Sequence, residues 1–247
     1  MTFDATIRAE VLQELLKPLC ALVGEAKLSV GGGVQTRAVD PANVGMVDIE
    51  ADADAFEDFD GDDELLGLDL ERMADVVGMA DSESVVSMSL DERTRKLTVA
   101  FDGLEYTLAL LDAESIREEP DIPDLDLPGV AVVEGREIGR AVTAADMVSD
   151  HIEISAGDGE LAFRAEGDTD DVEVSLDDDR LLDAPGVQDG VSSLFSLEYM
   201  KSINKPLSTT TECSLVIGDE MPLKMRYSLA DGDVSVTNML APRIQSG

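Results

Sequence analysis

"PDIPDLDLP", residues 120–128, lies almost at the centre of the 247-residue chain and reads as neither a helix nor an ordinary strand. Pro120, Pro123 and Pro128 lack backbone donors and push their neighbours into extended backbone, so the segment is a stiff connector. Ile122, Leu125 and Leu127 alternate with acids along it, and a purely solvated linker would not need them. The flanks, 1–119 and 129–247, are each 119 residues long. Equal flanks suggest a repeat. At an offset of 127 residues, Arg37 falls on Arg164, Leu70 on Leu197 and Met73 on Met200. The expectation is two similar domains, 1–119 and 129–247, joined by the connector 120–128.

Each flank opens with a helical pattern. In "IRAEVLQELLKPLCALVGEA" the residues Val11, Leu12, Leu15, Leu16, Leu19, Leu22 and Val23 follow the spacing of one buried face, with Glu10, Gln13, Glu14 and Lys17 opposite. Pro18 should kink or restart that helix. "GREIGRAVTAADMVS" buries Ile138, Val142 and Ala145 and turns Arg136 and Arg140 outward. Shorter helices are expected around Leu70–Met79 and Leu197–Asn204. The remainder alternates apolar and polar residues between Gly and Asp turns, as in "NVGMVDIEA" and "DVEVSLD". The fold class is therefore α+β, with two similar domains and mainly antiparallel sheets.

The composition bounds the chemistry. Fifty-four acids against 18 bases give a formal net charge of −36, scattered along the whole chain. With 44% hydrophobic residues and clear periodicity, the chain can still build ordinary cores, so disorder is excluded. An acidic, hydrated surface on a normal core suits a halophilic cytoplasm of molar salt, where the screening length is about 3 Å. There is no 18-residue apolar run and no signal-like N-terminus, so a cytoplasmic chain without membrane contact is expected. Cys20 and Cys213 have no metal or disulfide spacing and read as buried small hydrophobes.

Catalytic constellations are missing. A single histidine, His151, cannot build a triad or a His-rich metal site. "GGG" at 31–33 is not followed by the lysine of a phosphate loop and reads as a strand turn. "DFDGDDE" from Asp58 fails as a calcium loop, because with Gly61 as its sixth position the first and twelfth would be Phe56 and Gly67. No enzyme activity, metal or cofactor is expected. A salt-adapted enzyme remains as a rival of another class, and turnover by the chain alone would reveal it. A plain acidic interaction scaffold is a second rival, distinguished by forming no ring.

Several stretches, in order, resemble the proliferating cell nuclear antigen family, the sliding clamps of archaeal and eukaryotic DNA replication. They are "GGVQTRAVDPANVGMVDIEA", "LGLDLERMADVV", "IPDLDLP", "FSLEYMKSINKPLS" and "DEMPLKMRYSLADGDVSVTNMLAPRI", spread over essentially the whole length. The resemblance implies a ring-shaped homotrimer that encircles duplex DNA as a polymerase processivity factor, with helices lining the hole and sheets outside. A checkpoint-type clamp of unlike subunits is the alternative within the fold. The resemblance implies subunit contact between "LEYTLALLD" and "DVEVSLD" of a neighbouring copy, involving Tyr106, Leu108, Leu110, Val172 and Val174, with Leu108 and Val174 expected to donate to the shared ladder. It implies that partner proteins (replicative polymerase, clamp loader, flap endonuclease and ligase) insert a short motif beside the connector. The matching wall is Val39, Val44, Met46, Ile122, Pro123, Leu125, Leu127, Pro222, Ala241 and Pro242. The family's basic hole is depleted here: DNA-contacting positions reduce to Arg136, Arg140, Lys201 and Lys205, with Lys17 and Arg72 as weaker candidates. In molar salt such contacts add little affinity, and topology would supply the grip. A nucleoid-associated, cytoplasmic location follows from the resemblance.

Overall fold

A computed structural model describes residues 3–118, 125, 127–157, 159–177, 179–183 and 190–243. The chain divides into two compact units. One comprises Met1–Val39, Val47–Pro120 and Ser228–Val236; the other comprises Asp40–Met46, Asp121–Tyr227 and Thr237–Gly247. Most of the connector, with the expected wall residues Ile122 and Pro123, lies outside the described residues.

In the first unit the chain runs β1 (Phe3–Arg8), α1 (Ala9–Cys20), β2 (Glu25–Ser29), β3 (Gly33–Val39), β4 (Gly45–Asp52), β5 (Asp58–Gly61), β6 (Leu65–Asp69), α2 (Leu70–Val77), β7 (Val85–Asp91), β8 (Lys96–Phe101) and β9 (Leu104–Ala109). The order β5-β1-β7-β8-β9 forms one antiparallel sheet, and β2 pairs with β3 and β6 in another. Alternation explains it: β1 reads buried at Phe3, Ala5 and Ile7 and outward at Asp4 and Arg8. The acid-rich segment from Asp58 is part of β5, paired with β1. Gly31–Gly33 turns between β2 and β3; Gly33 has φ +138°, and a Cβ there would run into the Ala51 carbonyl.

Helix α1 buries Val11, Leu12, Leu15, Leu16 and Leu19, each worth about 2 kcal/mol before the entropy of ordering is counted. Pro18 does not break it in two. The residue sits in the last turn, and the helix ends two residues later, at Cys20. Leu22 and Val23 lie beyond the helix. Helix α2 starts on a cap: the Asp69 carboxylate accepts from the Arg72 N–H at 3.0 Å. It stops at Val77, short of Met79, which is 57% exposed. Helices α1 and α2 pack against each other.

The second unit repeats the plan: β10 (Gly129–Glu134), α3 (Gly135–Ala145), β11 (His151–Gly157), β12 (Glu160–Glu166), β13 (Asp171–Leu176), β14 (Val191–Ser196), α4 (Leu197–Asn204), β15 (Glu212–Ile217), β16 (Leu223–Leu229) and β17 (Val234–Leu240). The order β13-β12-β11-β14 forms one antiparallel sheet, and β10-β15-β16 belong to another. Helix α3 packs on α4 and across β11, β12 and β13. Leu70 and Leu197 open α2 and α4, and Met73 and Met200 are buried one turn later in each, as the 127-residue offset requires. Among the described residues no helix is long and apolar enough to cross a membrane.

One cysteine departs from expectation. Cys213 is buried within β15, but Cys20 is exposed at the end of α1, where its thiol approaches the Leu70 carbonyl at 3.7 Å. The apolar stripe of α1 has already passed it, so the position faces outward.

Candidate DNA-facing and partner-docking sites

The helices carry a different charge from the rest of the molecule. Among them α1, α2, α3 and α4 hold five bases and six acids, a net charge of −1 where the whole chain carries −36. Their exposed positions include Lys17 on α1, Arg72 on α2, Arg136 and Arg140 on α3 and Lys201 on α4, with Lys205 at the C-cap of α4. Each follows from the helical stripe: the buried residues of its helix form one apolar face, and the base lies off that face.

Sequence spacing did not reveal how these cations are held. Arg136 lies 2.5 Å from Glu134 and 3.6 Å from Glu137, and Arg140 and Arg180 lie 3.6 and 3.9 Å from the same Glu137. Glu137, with a side chain 14% exposed, is thus the shared counter-ion of three arginines. Lys201 grips both carboxylate oxygens of Asp146, at the C-cap of α3, at 2.9 and 2.8 Å. Lys201, Lys205 and Arg243 line an open cleft of about 400 Å³ together with Asp146, Asp150 and Glu198. Arg243 was visible in the sequence only as the base after "LAP". Its proximity to α4 comes from its own N–H, which donates to the Leu194 carbonyl at 2.7 Å.

In the second unit, the expected docking wall is assembled from separate pieces. Ala241 donates its N–H to the Val44 carbonyl at 2.8 Å, bringing the β3–β4 loop to the segment after β17. Val44, Ala241, Pro242 and Pro222 are half-buried, and Met46 is buried. Leu127 lies against the turn between β15 and β16: a Cβ on Gly218 would meet its Cδ2 at 3.0 Å and Met221 at 3.1 Å. That turn is clamped by the buried Ser193, whose hydroxyl donates to Gly218 and Met221 carbonyls and accepts from the Met221 N–H at 2.9–3.0 Å. Met221 is 40% exposed beside it. Leu125 is half-buried; Val39, in the first unit, is half-buried at the end of β3.

Two residues marked by no apolar pattern or motif hold this loop. Asp40 is 4% exposed, and its carboxylate accepts from the N–H groups of Ala42, Val44 and Gly45 at 2.7–2.8 Å. It also accepts from the Tyr199 hydroxyl at 2.7 Å. Burial alone would raise the Asp40 pKa, but the Tyr199 hydroxyl and the three amides outweigh it and hold the carboxyl below the usual range. The same bond, helped by burial and the negative charges of Asp40 and Glu198, pushes the Tyr199 phenol up to about 12.

Strands β9 and β13 are each the last strand of their sheet, so each has an unpaired edge among the described residues. Residues two apart share a face of the pleat, and burial changes along it: Leu108 and Val174 are 3% and 7% exposed in their own cores, while Tyr106, on the face of Leu108, is 36% exposed and Val172, on the face of Val174, is half-buried. Leu110 lies just past β9, and its N–H donates to the Arg95 carbonyl at 3.0 Å. Backbone direction alternates along a strand, so Leu108 and Tyr106, in step with Leu110, also aim their amides at β8. The open edge of β9 therefore belongs to Glu105, Thr107 and Ala109. On β13 the Gly167 N–H donates to the Asp170 carbonyl at 2.9 Å, which sets Val172 and Val174 toward β12 and leaves Asp171, Glu173 and Ser175 facing out. Leu108 and Val174 thus donate within their own sheets, not across the open edges. Hairpin geometry is the reason: the two-residue turns at Asp102–Gly103 and Asp168–Thr169 fix which residues pair.

Residues 3–109 match the family model "Proliferating cell nuclear antigen, N-terminal domain", and residues 121–244 match its C-terminal counterpart. The chain is 51% identical over 247 residues to a DNA polymerase sliding clamp of Halobacterium salinarum, covering 99% of both chains. It is likewise 51% identical over 248 residues to one from Haloarcula marismortui, again covering 99% of each. A solved structure of A. fulgidus PCNA bound to the C-terminal region of FEN-1 superposes with a TM-score of 0.93 at 31% identity, over 99% of this chain and 100% of that one. With both halves matched in order and full-length relatives at this identity, the chain belongs to the proliferating cell nuclear antigen family of DNA sliding clamps.

Proposed function

We propose that the protein is a ring-shaped homotrimeric clamp, with domains 1–119 and 129–247 and connector 120–128, that encircles duplex DNA and makes a DNA polymerase processive. The observation that carries this reading is the charge of the helices: acids crowd nearly everywhere else, yet the helices stand at a net −1 with their bases exposed. A surface that must pass close to phosphates has that reason to balance its carboxylates with bases. The ring itself rests on the two open edges, β9 and β13, which a head-to-tail neighbour would satisfy.

The chain carries out no reaction itself. Its partners are the replicative polymerase, the clamp loader, a flap endonuclease and a ligase, each inserting an apolar and aromatic motif against the wall formed by Val39, Val44, Met46, Ile122, Pro123, Leu125, Leu127, Pro222, Ala241 and Pro242. The cytoplasmic nucleoid is its site of work. The test is the molar mass in about 2 M KCl, where surface charge is screened to a few Å, together with synthesis on a long primed template. The expected result is three times the 26.4 kDa of the chain and longer products when the clamp is loaded. A chain that stays monomeric in that salt would instead belong to a ring of unlike subunits.

A further inference from the structure

The docking wall has a feature that its apolar residues do not account for. Val44 sits on a five-residue loop, 40–44, that is closed by the Asp40 N–H donating to the carbonyl of Gly45, the first residue of β4, at 2.9 Å. Within the loop, Asn43 adopts φ 59°, a left-handed conformation that needs local support. Asp40 supplies it through three amides, one of them that of Val44 itself. Asp40 is in turn fixed from outside the loop by Tyr199, in the first turn of α4, two residues before Lys201.

We infer that Tyr199 is a positioning residue for partner docking: by donating to Asp40 it holds the 40–44 loop so that Val44 presents its side chain and its carbonyl keeps Ala241 in place. The inference rests on the docking reading above and adds a residue to it that no apolar pattern marks. The chain of contacts is continuous. The Tyr199 hydroxyl reaches Asp40 Oδ2 at 2.7 Å; Asp40 Oδ1 receives the Val44 N–H at 2.7 Å; the Val44 carbonyl receives the Ala241 N–H at 2.8 Å. Removing the hydroxyl leaves an almost fully buried carboxylate short of one donor, and the least costly remedy is for the loop to open toward water. An opened loop must be reordered when a partner binds, which lowers affinity without removing any contact the partner makes.

The test uses the full-length trimer and a labelled synthetic peptide with a leucine followed three and four residues later by two phenylalanines, the spacing of a one-turn helical anchor. Tyr199→Phe should weaken the peptide by about fivefold or more, at unchanged molar mass and with the chain still folded by circular dichroism. Amide exchange at Ala241 should speed up by a similar factor. In an Asp40→Ala background, Tyr199→Phe should have no further effect on either readout, because the pathway runs through Asp40. Asp40→Asn provides a second variant, retaining the side chain's volume and one acceptor oxygen, and should weaken the peptide likewise if Tyr199→Phe does not fold. Unaltered peptide affinity in Tyr199→Phe, or an additive loss in the double variant, overturns the inference. A wild-type trimer that ignores the peptide overturns the docking reading instead.

Discussion

Ala241 donates its backbone N–H to the carbonyl of Val44 at 2.8 Å, so the β3–β4 loop and the segment following β17 form one surface of the second unit. Leu127 approaches the neighbouring turn at Gly218 and Met221. Changing Leu125 and Leu127 together to Ser should remove about 2 to 4 kcal/mol of apolar burial on partner binding and weaken a docking peptide by more than tenfold. Fluorescence anisotropy with the intact ring measures it. Unchanged affinity would mean that these leucines serve only to pin the connector down.

The open amides on β9 and β13 make a sharper test of the ring than their apolar residues do. Thr107→Pro removes an edge donor while leaving the bonds to β8 intact, and should give a folded chain of monomer mass. Leu108→Pro removes a bond inside the sheet at a position only 3% exposed, and should lower the thermal midpoint instead. Light scattering and circular dichroism on the two variants separate these outcomes. A trimeric Thr107→Pro would place the subunit contact on other strands.

Reversing Lys201 and Lys205 to Glu should leave trimer mass and peptide binding intact but reduce clamp-stimulated synthesis. The loss should be greatest at the lowest salt that keeps the ring closed, because only phosphate contacts are screened. Glu137→Gln should act in the opposite direction. It frees Arg140 and Arg180 from their shared counter-ion, while Arg136 keeps its ion pair with Glu134, and each freed cation that then reaches a phosphate should steepen the salt dependence of DNA binding by about 0.9 in log–log slope. Equal salt slopes for wild type and Glu137→Gln would take these arginines off the DNA path.

The Tyr199–Asp40 bond should also be visible as a titration. Tyr199 should ionise at about 12 by phenolate absorbance, and Asp40→Asn should bring it down toward about 10, the ordinary value for a phenol. Because the folded value is raised, the stability it contributes is present below about pH 10 and is lost as pH climbs toward 12. Asp40 behaves oppositely: its folded value is lowered, so its contribution is present above the ordinary carboxyl range and is lost as pH falls through the lowered value. Tyr227, buried and pushed still higher, should not ionise in the same step. A Tyr199 that titrates normally would show that the bond does not persist in solution.

Local spacing along the chain carried the features that depend on near neighbours. Equal flanks about a proline-rich connector announced two similar domains, the 127-residue offset placed Met73 and Met200 at equivalent buried positions, and helical stripes turned Lys17, Arg72, Arg136, Arg140 and Lys201 outward. Pro18 misled because a proline's effect depends on how much helix follows it, and only two residues do. Tertiary structure alone decided the pairings between distant residues: Tyr199 with Asp40, Ala241 with Val44, and Glu137 with Arg180. It also decided which amides of β9 and β13 stay open. Apolar alternation says which face of a strand is buried, but the direction of its amides is set by register, and register is set by the turn and the partner strand.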